Sequence, residues 1–187
     1  LTYKASLCLT QNEIILGCKR GDEGAYRFLV DTYADKLMGI CVRYLRDIQL
    51  AEDALQETYI LVFQSIHQFR DEGSLPAWMG KIAVNCCLKE LRKVKRLSFP
   101  EEETVFEQMV AWSAVQGQLE AEDLLLMLDQ LPPHYRIIFN LHSIEGYNHK
   151  EISEMLGISE SLSRTKLTRA RKMLQDFYNR DIKKMIV

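Results

Sequence analysis

The stretch whose reading decides the fold is YNHKEISEMLGISESLSRTKLTRARKML, from Tyr147 to Leu174. Its first half sets Ile152, Met155 and Leu156 at the three- and four-residue intervals of one buried helical face. Gly157 follows, and glycine is the residue that most readily takes the left-handed conformation closing a helix. Ile158 supplies an apolar plug, and Ser159 is suited to cap a second helix. That helix carries Arg164, Lys166, Arg169, Arg171 and Lys172, with no acid between Leu162 and Lys172. A short helix, a glycine turn and a basic second helix form the pattern of a helix-turn-helix, which lays its second helix in the DNA major groove. Ser153 and Ser163 fit that pattern poorly, because such motifs usually hold a small or branched apolar residue there.

Outward from this stretch the chain reads as helix throughout. Leu119 to Leu131 is a strongly apolar helix stopped by Pro132-Pro133, and a further helix runs from about Pro133 to Ser143. At the amino end a short helix over Gln11 to Lys19 closes at the Gly21-Asp22 turn. Asp22 caps a helix over Glu23 to Leu45, and Asp47 caps another over about Gln49 to Phe69. The latter buries a stripe of Ala51, Leu55, Tyr59, Val62, Ile66 and Phe69, leaving Glu52, Asp53, Gln56 and Glu57 on its other side. Asp71 to Pro76 is a loop by composition. A fourth helix, about Ala77 to Lys95, aligns Lys81, Asn85, Lys89 and Arg92 on one face. The fold class expected is all-α, with two small helical domains joined by an acidic linker. The domains are residues 1–96 and 119–187, with 97–118 as the linker.

The 187 residues are 47% hydrophobic and 27% charged, the proportions of an ordinary globular protein. No apolar run approaches the roughly 20 residues of a membrane span, and the amino end lacks the apolar core of a signal peptide. A cytoplasmic location without membrane insertion is therefore expected. Cys8, Cys18, Cys41, Cys86 and Cys87 form no CxxC pair and read as buried thiols in a reducing compartment. The net charge of −2 runs against the basic balance usual in a nucleic-acid binder, but it hides a partition. Lys81, Lys89, Arg92, Lys93, Lys95 and Arg96 crowd one segment against the single acid Glu90. From Phe99 to Asp129 there are acids only, beginning with Glu101, Glu102, Glu103 and Glu107. This acidic belt is expected to repel DNA in the free protein.

Taken in order, these segments resemble the extracytoplasmic-function sigma factors, the small two-domain class of bacterial RNA polymerase initiation factors in the sigma-70 family. AEDALQETYILVF (Ala51 to Phe63) holds a D-x-x-Q-E element at Asp53, Gln56 and Glu57. PAWMGKIAVNCCLKELRK (Pro76 to Lys93) holds a W-x-x-x-I-A-x-N element at Trp78, Ile82, Ala83 and Asn85. LPPHYRIIFNLHSIEGYNHKEISEMLGIS (Leu131 to Ser159) and the run after it resemble the family's promoter-reading domain. A departure lies at Ser161, Leu162 and Ser163, where the family commonly has Gly-Thr-Val.

The resemblance implies a division of labour. Asp53, Gln56 and Glu57 would dock to the polymerase core. The Asp71 to Pro76 loop, with Asp71 and Ser74, would cradle a base flipped from the −10 element, and Lys81, Asn85, Lys89 and Arg92 would line the strand. In the second domain Arg164, Thr165, Thr168 and Arg169 would face the −35 duplex, while Lys150, Lys166 and Arg171 would take phosphates. Partners would be core RNA polymerase, promoter DNA and an anti-sigma factor. No catalytic residue, cofactor or metal is expected. The histidines His67, His134, His142 and His149 make no ligand pattern, which disfavours a metalloenzyme or hydrolase. A stand-alone helix-turn-helix regulator is the alternative, but it leaves the first domain idle, and an inhibitor of sigma factors would not need the basic helix.

Overall fold

In a computed structural model the described residues are 10–69, 73–94, 97–99 and 126–185, and among them there is helix but no strand. The backbone divides into two compact units, Leu1–Val94 and Lys95–Val187. Most of the expected linker at 97–118, its acidic belt, and Cys8 lie outside the described residues.

Four helices build the first unit: α1 (Gln11–Lys19), α2 (Glu23–Leu45), α3 (Ile48–Ser65) and α4 (Leu75–Lys93). Local side chains set their starts. Thr10 and Glu13 form a capping box, satisfying orphan amides at both its ends. Asp22 accepts from the amides of Gly24 and Ala25, and Asp47 from those of Gln49 and Leu50. The third helix is shorter than its apolar period suggests, because Ile66–Gln68 tightens into a 3-10 turn. The fourth starts at Leu75, two residues earlier than expected, since Pro76 sits in the first turn where its missing N–H is no loss.

Helices α2, α3 and α4 pack on one another, and α1 lies along α2. Their shared core includes Leu29, Cys41, Tyr44, Val62, Met79, Ala83 and Cys87, each fully buried. Burying such side chains contributes about 1.5–3 kcal/mol apiece for the larger aliphatic ones. Cys18, Cys41, Cys86 and Cys87 are buried free thiols, as the spacing suggested. Burial is the main influence raising the Cys86 thiol pKa, which keeps it protonated.

The second unit begins, among described residues, with a helical turn at 126–129. Helix α5 (Pro133–Phe139) widens into a π-helical turn, Asn140–Ile144, so the expected helix is continuous but not regular. Helices α6 (His149–Leu156) and α7 (Glu160–Met185) follow. Both α5 and α6 pack on α7 around Ile137, Ile138, Phe139, Ile152, Leu167, Ala170 and Leu174.

Candidate nucleic-acid interface

In the first unit the 3-10 turn after α3 and the start of α4 enclose an open cavity of about 270 Å³. Its walls are Gln68, Phe69, Gly73, Ser74, Ala77, Trp78 and Lys81. The Phe69 and Trp78 rings stand 5.3 Å apart at 54°, with Phe69 buried and Trp78 half-buried. Ser74 is exposed at the N-cap of α4 without a side-chain capping bond. Aromatic walls, a hydroxyl and an ammonium at the rim suit a planar, unstacked base next to a phosphate. Asp71 lies outside the described residues.

Beyond the cavity α4 presents Lys81, Asn85, Lys89 and Arg92 to solvent along one face. On α3, Asp53 and Gln56 are exposed and Glu57 is half-buried. Two residues assigned to different tasks meet here: Lys89 Nζ donates to Glu57 Oε1 at 3.1 Å. Both side chains are well exposed, so this bridge is screened and worth little. Beside the acids lie Ile48 and Ile60, exposed to 58% and 51%, an apolar addition that the acidic reading of this face missed. Ile60 was detectable, because it stands off the buried stripe. Phe69 and Trp78 were missed as site residues because their apolar spacing reads as core, and Gln68 because no pattern singles it out; only the loop that follows hinted at a cavity.

In the second unit α6 opens with a capping box between Asn148 and Glu151 and exposes Lys150. Gly157 closes it at φ 68°, a conformation that favours glycine, and donates to the Ser153 carbonyl. Ser159 Oγ accepts from the Leu162 amide at 3.1 Å, capping α7 as expected. The outer face of α7 carries Ser161, Arg164 and Lys172 exposed, with Thr165 and Thr168 half-buried. Arg164 is held by Glu160 one turn back, Nη2 to Oε2 at 2.7 Å. Ser161 and Lys172 extend the expected set and share its helical period.

Three basic residues of this helix need different treatment. Lys166 was expected on phosphate, yet it is only 1% exposed. Two residues beyond Arg164 the helix has turned it inward, and its ammonium lies 5.1 Å from the Tyr135 ring centre on α5. Burial lowers its pKa. Lys166 is therefore withdrawn from the phosphate contacts. Arg169 is half-buried and its Nη1 donates to Tyr135 Oη at 3.4 Å, which draws it from the outer face. Arg171 is half-buried near His142 and His149.

The two ill-fitting serines acquire physical reasons. Ser163 is fully buried and bonds His149 Nδ1 through Oγ at 2.9 Å, so a polar pair replaces an apolar contact between α6 and α7. Ser153 returns its hydroxyl to the Lys150 carbonyl at 2.8 Å, satisfying itself within α6. The His142 and His149 rings lie 4.6 Å apart. Burial first, then His142, Arg164 and Arg171, lower the His149 pKa against a small opposing pull from Glu160.

Residues 29–97 match the Sigma-70 region 2 model and residues 121–174 the Sigma-70 region 4 model. The chain is 31% identical over 164 residues to SigM, an ECF RNA polymerase sigma factor of Bacillus subtilis, covering 84% of this chain and 90% of that one. It belongs to the ECF RNA polymerase sigma factors. As a member of this family it acts in promoter recognition and transcription initiation. SigW of the same bacterium, another ECF sigma factor, is 30% identical over 174 residues with the same coverage. The fold resembles that of the sigma factor RpoE in its co-crystal structure with the anti-sigma factor NepR from Bartonella quintana. There the TM-score is 0.51 at 20% identity, covering 82% of this chain and 96% of that one. For a sigma factor of this class, the cavity and the basic face of α4 fall within the region 2 match, and α6 and α7 up to residue 174 within the region 4 match.

Proposed function

We propose that this sigma factor holds its promoter at two points, with different physics at each. The cavity at Phe69 and Trp78 takes one base extruded from the non-template strand of the −10 element, and its capture promotes melting. Lys81, Asn85 and Arg92 guide the strand along α4, with Lys89 joining them when it leaves Glu57. The outer face of α7, led by Arg164, Thr165 and Thr168, reads the −35 duplex, and Lys150 contacts phosphate. Asp53, Gln56 and Glu57, with exposed Ile60 alongside, dock to core polymerase.

The observation that carries this reading is the cavity itself: two aromatic walls with Ser74 and Lys81, opening beside an exposed basic row. An unstacked base needs both a face to lie on and a track for its backbone. In this reading a −10 domain covers 1–96 and a −35 domain 119–187, beside a division of the backbone after Val94. We also propose an anti-sigma factor as a partner, as stated for the RpoE structure, and a cytoplasmic, non-enzymatic role. No helix among the described residues is long and apolar enough to cross a membrane.

Run-off transcription with core RNA polymerase over a promoter library tests the proposal. The expected result is initiation that depends on both promoter elements and falls on Trp78→Ala. Operator-like binding to symmetric half-sites without polymerase, and no promoter-dependent initiation, would favour the stand-alone regulator instead.

A further inference from the structure

Helix α1 packs against the Ile66–Gln68 turn and extends two side chains to the segments that flank the loop bordering the cavity. Lys19 Nζ donates to the Phe69 carbonyl at 2.9 Å, from 50 residues away in sequence. Gln11 Nε2 donates to the Gly73 carbonyl at 3.5 Å, and Gln11 Oε1 accepts from the Leu75 amide at 3.3 Å. One side chain therefore holds the limb entering the loop and another holds the limb leaving it. Phe69 and Gly73 line the cavity, and Leu75 is the fully buried first residue of α4. Gly73 sits at φ 143°, a conformation that L side chains rarely adopt. We propose that Gln11 and Lys19 are positioning residues for −10 recognition, fixing the Phe69 and Gly73 walls of the cavity and the start of α4 before DNA arrives.

The physical argument is preorganisation. A surface loop ordinarily satisfies its backbone groups with water and samples several conformations. Tying the Phe69 and Gly73 carbonyls and the Leu75 amide to a separate helix fixes the cavity's described wall residues in the free protein, so less ordering of that wall remains when a base enters. The helix is itself anchored by Ile14, Ile15 and Cys18, all buried. The Lys19 contact is the shorter and is assisted by charge, so it is expected to count for more than the two longer Gln11 contacts. The region 2 match begins at residue 29, so both residues lie before it.

The proposal rests on the cavity being the −10 base site, and the test separates the two claims. Holoenzyme containing Lys19→Met, Gln11→Ala or Trp78→Ala is bound to fork-junction promoter DNA. The non-template −10 strand is either intact or abasic at one position at a time. For the parent protein one abasic position should weaken binding strongly, and Trp78→Ala should erase that preference. Lys19→Met and Gln11→Ala should each lower the preference for intact over abasic DNA by roughly threefold to tenfold, the reach of one or two hydrogen bonds. Binding to the abasic fork and to core polymerase should be unchanged, and Lys19→Arg, which restores a donor to Phe69, should recover most of the loss.

If the parent shows the preference and Trp78→Ala erases it, but both α1 variants retain it within twofold, the clamp is overturned and the base site stands. If no abasic position matters to the parent, the base site fails and the clamp with it. An equal loss on intact and abasic forks, unrecovered by Lys19→Arg, would also overturn the clamp, since it would mark a general folding defect.

Discussion

The two units offer nucleic acid different surfaces. The first presents a cavity between a turn and a helix start, with exposed bases along the adjoining helix. The second presents the outer face of α7, whose inward residues are packed on α5 and α6 and whose outward Ser161 and Thr165 border an open hollow of about 580 Å³ beside the Gly157 turn. A concave aromatic site can hold one base removed from its stack, whereas a convex helix suits the groove of an intact duplex. The contrast also explains where charge has meaning. On α4 every residue of the basic row is exposed, but on α7 the basic residues are distributed around the whole helix, and the fold sorts them.

The largest effect that can break this comparison is Trp78→Ala. Losing one stacking face should cost about 1–3 kcal/mol in holding the melted −10 strand, with −35 duplex affinity retained. Run-off yield on duplex promoters set beside −35 duplex binding by holoenzyme decides it, and equal losses in both would remove the division of labour. Next, Arg164→Ala should weaken −35 binding by about 1–2 kcal/mol, because Glu160 already competes for the guanidinium. The loss should be greatest on the preferred sequence, and a uniform loss across sequences would make Arg164 a phosphate contact.

A smaller effect concerns acid. His134, His142 and His149 all belong to the second unit and all have pKa values lowered from 6.5, chiefly by burial. The native unit therefore favours neutral rings, while the unfolded chain takes up protons first. The stabilisation is fully present above about pH 6.5, the unfolded value, and is lost as pH falls through 6.5 toward the lowered native values. Amide exchange at pH 7.5 and about 5.5 should show α6 and α7 losing protection before α2 and α4; loss in the reverse order would contradict the assignment. The smallest effect is Lys166→Met. With its ammonium over Tyr135, its removal should leave the salt dependence of −35 binding unchanged, whereas a phosphate contact would lower the slope by about one.

Much of the fold was legible because it depends on local chemistry. Asp22, Asp47, Gly157 and Ser159 act within one turn of their own positions, and each starts or stops a helix where the sequence implies. The row Lys81, Asn85, Lys89 and Arg92 was equally legible, since a single amphipathic helix places those residues without reference to any other element. The Ser153 bond is local too, but nothing in the sequence says whether its hydroxyl turns outward or back to the helix.

The remainder depended on partners distant along the chain. Lys166 and Arg169 read as DNA contacts until Tyr135 on α5 claims both. Ser163 looked misplaced until His149, fourteen residues away, met it in the core. Trp78 read as core until Phe69 and Gly73 shaped a cavity against it. By itself the sequence determined the helices, their order and their family, because caps, breakers and helical periodicity act over a few residues. Only the tertiary structure decided which charges face outward, which aromatics wall a cavity and which helix holds the loop. Those depend on close contacts between segments up to 64 residues apart, for which the linear pattern carries no signal.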